Sequence, residues 1–151
     1  MAQIADVAMP FLLMSAFRGL VDAVHARLDE AGFAGVRATH GFAMQAIGEG
    51  CTSVELGARL GVSKQAAAKT AAALAAMGLI TREPGVIDRR ERILRPTAHG
   101  SEMLAVSAAA FAREVGQWRA RVGDRRVDAT LATLAAAPRG QRSPTDLSDW
   151  G

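Results

Sequence analysis

Cysteine is almost missing: Cys51 is the one thiol in 151 residues. A lone cysteine builds neither an internal disulfide framework nor a multi-cysteine metal site within one chain. Histidine is nearly as scarce, and His25, His40 and His99 are scattered without helical ligand spacing, so no metal site is expected. There is no tyrosine, and aromatic residues make up only 5% of the chain. A Gly-rich phosphate loop, a nucleophile elbow and a His-Glu-x-x-His pair are all lacking, which points away from an enzyme and from any cofactor. The apolar stretch Met9-Pro10-Phe11-Leu12-Leu13-Met14 is short for a membrane span and is followed by Arg18 and Asp22. No basic segment leads into a long apolar run as an export signal would. The expected setting is the cytoplasm, away from any membrane.

Half of the residues are hydrophobic, ample for a core. Abundant alanine, the best helix former, with leucine close behind, favours a mainly α fold. The net charge is only +3, but it is unevenly placed. Residues 59–100 hold eight basic groups against three acidic ones, a net of +5, and both lysines of the chain lie there. A basic middle between mildly acidic ends suggests a polyanion as partner, although a solvated charged surface has the same composition.

Apolar residues from Ile4 to Ala31 recur at helical spacing through Val7, Phe11, Met14, Phe17, Leu20, Val21, Val24 and Leu28, and Gly32 ends the helix. Pro10 places the regular start near itself, with an arm before it. Thr39 is read as the N-cap of a second helix through Phe42, Met44 and Ile47. Thr52-Ser53-Val54-Glu55 has the form of a capping box opening a third helix that ends at Gly61. Ser63 caps a fourth, running to Met77 before Gly78. The period then shortens: Leu79–Arg82 and Arg92–Arg95 read as two strands of a hairpin around Pro84, Gly85 and Asp88. Thr97 caps a long helix to about Val122. A last helix carries Val127, Leu131 and Leu134, and the polar end, 138–151, reads as a disordered tail.

The segment Leu56 to Ala67 therefore spells helix, glycine turn, helix, with Leu56, Leu60, Val62, Leu74 and Met77 as its core. The second of these helices projects Ser63, Lys64, Gln65 and Lys69. In a helix-turn-helix such residues reach base edges in the major groove, Lys suiting guanine O6 or N7 and Gln suiting adenine N6 and N7. Serine and the amides at the helix start can hold a phosphate. A plain helical hairpin with a polar face fits the same pattern, and what distinguishes the two readings is the arginine-tipped hairpin that follows. Arg89 and Arg90 are its candidates for a narrow minor groove, where negative potential is enhanced. Arg82, Arg92 and Arg95 are read as phosphate contacts or solvated charges, with Arg92 kept among the DNA-binding candidates.

The run Asp88-Arg89-Arg90-Glu91-Arg92-Ile93-Leu94-Arg95-Pro96-Thr97-Ala98-His99-Gly100 resembles the wing signature of the multiple antibiotic resistance regulator (MarR) family, an Asp-x-Arg followed by a strand and Thr-x-x-Gly. The resemblance spans about residues 10–136. It departs at Gly85-Val86-Ile87, where the family is more polar, and at Pro96, where the family has leucine. It implies a winged helix-turn-helix with a two-stranded wing, Asp88 structuring that wing through Arg90, and N- and C-terminal dimerisation helices. The expected layout is a single domain over 1–137, with dimerisation helices 4–31 and 97–136 around a DNA-binding lobe, 39–96. Phe11, Met14, Phe17, Val24, Leu131 and Leu134 are read as wanting a partner surface, and homodimer symmetry implies a pseudo-palindromic operator in double-stranded DNA, its half-site centres roughly 34–36 Å apart.

The resemblance also implies a repressor relieved by a small aromatic or phenolic effector bound between the helices and the lobe. Arg37 and His40 are the candidate acid-binding groups there, with Met44 and Trp118 as the apolar wall. Three alternatives stand beside this reading: a metal-responsive regulator with ligands from two subunits, a redox-responsive one acting through Cys51, and a winged-helix protein-interaction module without DNA binding. No basic residue adjoins Cys51 in sequence to activate it, which favours a quiet buried thiol.

Overall fold

Local capping chemistry sets most of the helix starts. In the computed structural model, which describes residues 4–138, a short 3-10 turn (Asp6–Ala8) leads into α1 (Met9–Glu30), with Pro10 in its first turn where a missing N–H costs nothing. α2 (Ala38–Ile47) follows, then the two-residue strand β1 (Cys51–Thr52), α3 (Ser53–Leu60) and α4 (Lys64–Ala76). The hairpin strands β2 (Ile80–Pro84) and β3 (Arg92–Pro96) precede α5 (Ala98–Val122) and α6 (Asp124–Ala136). The disordered tail expected at the C-terminus falls, from residue 139 on, outside the described residues.

The Glu55 N–H donates to Thr52 Oγ1 at 3.1 Å while the Thr52 N–H donates to Glu55 Oε2 at 2.7 Å, completing the capping box read from sequence. Ser63 Oγ accepts from the Ala66 N–H at 3.1 Å and Thr97 Oγ1 from the Gly100 N–H at 3.0 Å. Thr39 is not a cap. α2 starts one residue before it, and Arg37 takes the N-cap position in extended backbone, its N–H donating to His40 Nδ1 at 3.0 Å. The imidazole thus does from the third helical position what a capping-box carboxylate does elsewhere.

The sheet is antiparallel in the order β1-β3-β2, one strand more than the two-stranded wing expected. The third strand escapes a reading by periodicity because it is two residues long and exists only through pairing Cys51 with Leu94 and Thr52 with Ile93. β2 and β3 pair from Ile80↔Pro96 to Pro84↔Arg92, so Pro96 closes the far end of the ladder, where its missing N–H is tolerated.

The core lies in the middle of the chain. Met44, Ile47, Leu56, Leu74, Leu79, Leu94 and Met103 are fully enclosed, joined by Val24 and Leu28 from the C-terminal half of α1. Val24, at 3% exposure, belongs to this core and not to a partner surface as the stripe suggested. α5 packs along α1 and then carries α6, tied on by Arg119 to Asp124 (3.4 Å) and Asp128 (2.8 Å). The outer parts of α1 and α6 stay apolar and open: Phe11 is 66% exposed, Leu131 50% and Leu134 47%, and of α6 only Val127 is buried.

The stretch Asp6–Glu30 is, by length and composition, apolar enough to cross a membrane, its mean hydropathy reaching 1.6 over 18 residues. The apolar run read from sequence as ending near Met14 is therefore longer, because isolated charges such as Arg18 and Asp22 dilute it without ending it. In this fold one side of that helix is packed on α5, and the other is the open apolar face just described.

Candidate nucleic-acid interface

α3 and α4 meet through small residues. A Cβ on Gly57 would touch the Ala67 methyl at 3.4 Å and the Val62 carbonyl at the same distance, so glycine lets the two helices cross closely. Gly61 makes the turn between them in the left-handed region (φ 65°), a conformation that disfavours other residues. Ala67, Ala71 and Leu74 form the inner face of α4 at helical spacing, with Val62 and Met77 half-buried beside them. That arrangement turns Lys64, Gln65 and Lys69 outwards, and all three are exposed. Ser63 Oγ is occupied as an acceptor by the cap, which leaves its hydroxyl hydrogen free to donate. Arg59, across the turn, is committed elsewhere: its guanidinium donates to the Ala46 carbonyl at 2.7 Å.

The wing loop is closed by its own hydrogen bonds. The Gly85 N–H donates to the Glu91 carbonyl and the Glu91 N–H to the Asp88 carbonyl, both at 3.1 Å. Asp88 Oδ1 accepts the Arg90 N–H at 2.9 Å and the Arg90 Nε at 3.3 Å. The backbone N–H first, and the guanidinium second, hold the Asp88 carboxyl below the usual carboxylate range. Arg92 donates to the Arg89 carbonyl at 3.2 Å, bracing the loop from below, a role that sequence reasoning had not given it. Gly85 is buried, and a Cβ there would collide with the Asp88 carbonyl. Arg89 and Arg90 both project from this frame, exposed.

The residues proposed from sequence as an effector pocket are not brought together. Arg37 lines a cavity of about 90 Å³ between α1, α2 and α5, whose wall includes Val21, His25, Phe42, Ser107 and Phe111. His40 is used by the α2 cap, and burial, then the Arg37 charge, lowers its pKa below the ordinary 6.5, keeping the ring neutral as that acceptor role requires. Met44 is fully enclosed in the core, and Trp118 lies farther along α5, off the cavity wall. The residue that sequence reasoning missed is His25, whose Nε2 is buried without a hydrogen-bond partner among the described residues. Its position on the same face of α1 as Val21, Val24 and Leu28 was the available signal.

Cys51 is buried on β1, and that burial pushes its thiol pKa up, outweighing the nearby Arg59. A thiol so placed is a poor nucleophile. Among the described residues no three His, Cys, Asp or Glu side chains converge as a metal site.

Residues 42–91, from α2 to the wing loop, match a family model described as MarR family. This segment is similar to the MarR family. The fold is shared over most of the chain with solved structures: the YusO protein of Bacillus subtilis (19% identity, TM-score 0.68, covering 90% of this chain and 100% of that one), and a MarR-family transcriptional regulator from a Rhodococcus species (20%, 0.65, 88% and 94%). A mutant E. coli MarR crystallised with operator DNA is similar at 18% identity and TM-score 0.64, over 89% of this chain and 96% of that one. Comparison with curated protein sequences finds no match. The chain thus has the fold of MarR-family transcriptional regulators, with six α-helices around a small antiparallel sheet among the described residues.

Proposed function

We propose that the protein is a homodimeric, sequence-specific DNA-binding regulator, a repressor whose grip on its operator is relieved by a small aromatic or phenolic acid. The observation that carries the reading is the pairing of two cationic elements on one lobe. Ser63, Lys64, Gln65 and Lys69 stand outwards at the start of α4, and Arg89 and Arg90 stand outwards on a loop braced by its own hydrogen bonds. Two exposed guanidinium groups on such a loop suit an anionic partner. The likeness to a relative solved with operator DNA supports the same reading. Lobe 39–96 is then the DNA-binding part, and helices 4–31 and 97–136 the dimerisation part. The open apolar faces of α1 and α6 suit a second copy, since exposed apolar area of this extent marks an interface.

Fluorescence anisotropy on the DNA upstream of the protein's own gene and on genome-selected fragments, against random competitor at several salt concentrations, tests the reading. Competitor-resistant binding that weakens steeply with salt is expected. Affinity equal on all DNA defeats it. Within that assay Gln65→Ala is expected to cost about tenfold on the selected site and little on random DNA, because a bidentate amide contact to adenine carries sequence information and phosphate contacts do not. Equal losses on both would remove Gln65 from base reading.

The effector reading rests on the α1–α2–α5 cavity. At about 90 Å³ it is smaller than the roughly 150 Å³ of an engineered cavity that takes up benzene, so a substituted ring enters only as its walls move apart. Its wall is apolar, with Arg37 to meet a carboxylate and the unpartnered His25 Nε2 to meet a hydroxyl. Millimolar 4-hydroxybenzoate is expected to weaken operator binding about tenfold, and Arg37→Ala to abolish that response while leaving binding without the acid unchanged. Release that persists in Arg37→Ala places the acid elsewhere.

A further inference from the structure

The wing tip carries two aliphatic side chains that the fold does not use. Val86 is 98% exposed and Ile87 101%, the most open large apolar residues described. The loop around them is closed by hydrogen bonds. Gly85, Asp88, Arg90 and Arg92 close the loop through the hydrogen bonds already given, none of which involves the Val86 or Ile87 side chain. Two β-branched residues thus stand out at the end of a hairpin whose loop is closed on both sides of them, directly before Asp88-Arg89-Arg90.

We propose that Val86 and Ile87 pack against the floor and sugar walls of the minor groove and make the wing select A·T pairs by excluding the guanine amino group; this rests on the DNA-binding reading above. The surface that complements such a tip must be anionic at its rim, to meet Arg89 and Arg90, and apolar within. A narrow minor groove has both properties: phosphates line its edges, deoxyribose C–H groups form its walls, and A·T pairs leave its floor without a donor. A G·C pair adds the guanine N2 amino group to that floor. An aliphatic side chain pressed on that amino group strips its water and returns no hydrogen bond, which is costly. Arginine alone reads the groove's potential and width; the aliphatic pair adds a steric and desolvation penalty aimed at one atom. Minor-groove proteins also place apolar side chains beside cationic ones, there as wedges between base steps.

The test alters that one amino group. On a duplex selected from genomic fragments by the full-length protein, A·T pairs flanking the major-groove contacts are replaced one at a time by 2,6-diaminopurine·T. This adds the minor-groove amino group and leaves the major-groove edge unchanged. Wild type is expected to lose about tenfold at the pairs under the wing. The double variant Val86→Ser, Ile87→Ser is expected to bind the natural and modified duplexes within twofold of each other. Conversely, inosine in place of guanine at a rejected G·C position should restore wild-type binding. Both substituted side chains are fully exposed, so the variant keeps its fold, which its thermal melt checks. Arg90→Ala should lose affinity on both duplexes yet keep the ratio between them. If the double-serine variant retains the tenfold discrimination, or binds natural DNA with no change in affinity or selectivity, the tip does not read the groove and the inference is wrong. Failure to select any preferred duplex overturns the regulator reading itself, and this inference with it.

Discussion

Gly100→Ala is expected to destabilise the fold by about 2 kcal/mol, seen as a fall in Tm of roughly 4–8 °C at matched protein concentration. Gly100 sits in the first turn of α5, where the helix passes close over the end of β2's approach. A Cβ placed there would run into the Leu79 carbonyl and come within 2.9 Å of the Met44 terminal methyl. Leu79 and Met44 are both fully enclosed, so little around them can give way. The same junction is stapled by Thr97, whose N–H donates to the Leu79 carbonyl at 3.0 Å and whose hydroxyl donates to the Gly78 carbonyl at 2.6 Å. The sign of the effect is diagnostic. Helix propensity alone favours alanine over glycine by about 1 kcal/mol, so a loss of stability reports the collision and not the helix. Urea unfolding measures it directly. A variant as stable as wild type would mean that α5 and the Leu79 backbone are not in close contact, and the Thr-x-x-Gly pattern would need another explanation.

That junction also illustrates what a sequence can disclose. Thr97, Thr52 with Glu55, and Ser63 were readable as caps because each hydrogen bond spans three residues. The Asp88–Arg90 pair was readable for the same reason, at a separation of two. What went unread depends on partners distant in the chain. β1 exists because Leu94 lies opposite Cys51. Val24 faces inwards because α5 covers that part of α1, whereas the same stripe at Phe11 has no cover in the monomer. The cavity depends on how α1, α2 and α5 are placed in space, and it is His25, not His40 or Met44, that lines it. Thr39 was read as a cap by residue type; Arg37 displaced it because an extended N-cap residue can use its own N–H, given an acceptor three positions on.

Arg90→Ala is expected to weaken operator binding about 100-fold while leaving stability and oligomeric state unchanged. One guanidinium contact to DNA is worth about 1–3 kcal/mol, and the proposed dimer has two wings, so the loss counts twice. The fold should not notice. The Arg90 side chain is 92% exposed, and exposed ion pairs contribute little to stability. Asp88→Ala provides the sharper test. Counted as charge alone, removing a carboxylate from a wing that faces DNA in the proposed reading should strengthen binding, because it lifts a repulsion with phosphate. The geometry argues the opposite. Asp88 accepts both the Arg90 N–H and its Nε, fixing the turn and the direction of the guanidinium, and its lowered pKa keeps it ionised across the range in which DNA binding is measured. Without it Arg90 must order itself on binding, and side-chain ordering costs about 0.5–1.5 kcal/mol per wing. Asp88→Ala is therefore expected to weaken binding about tenfold despite the gain of positive charge. Asp88→Asn should fall between the two, since its amide oxygen still accepts the Arg90 N–H. Anisotropy across a salt series, with sedimentation to follow the dimer, separates the two accounts. Tighter binding by Asp88→Ala would show that the carboxylate is only a repulsive charge, and that the wing needs no aiming.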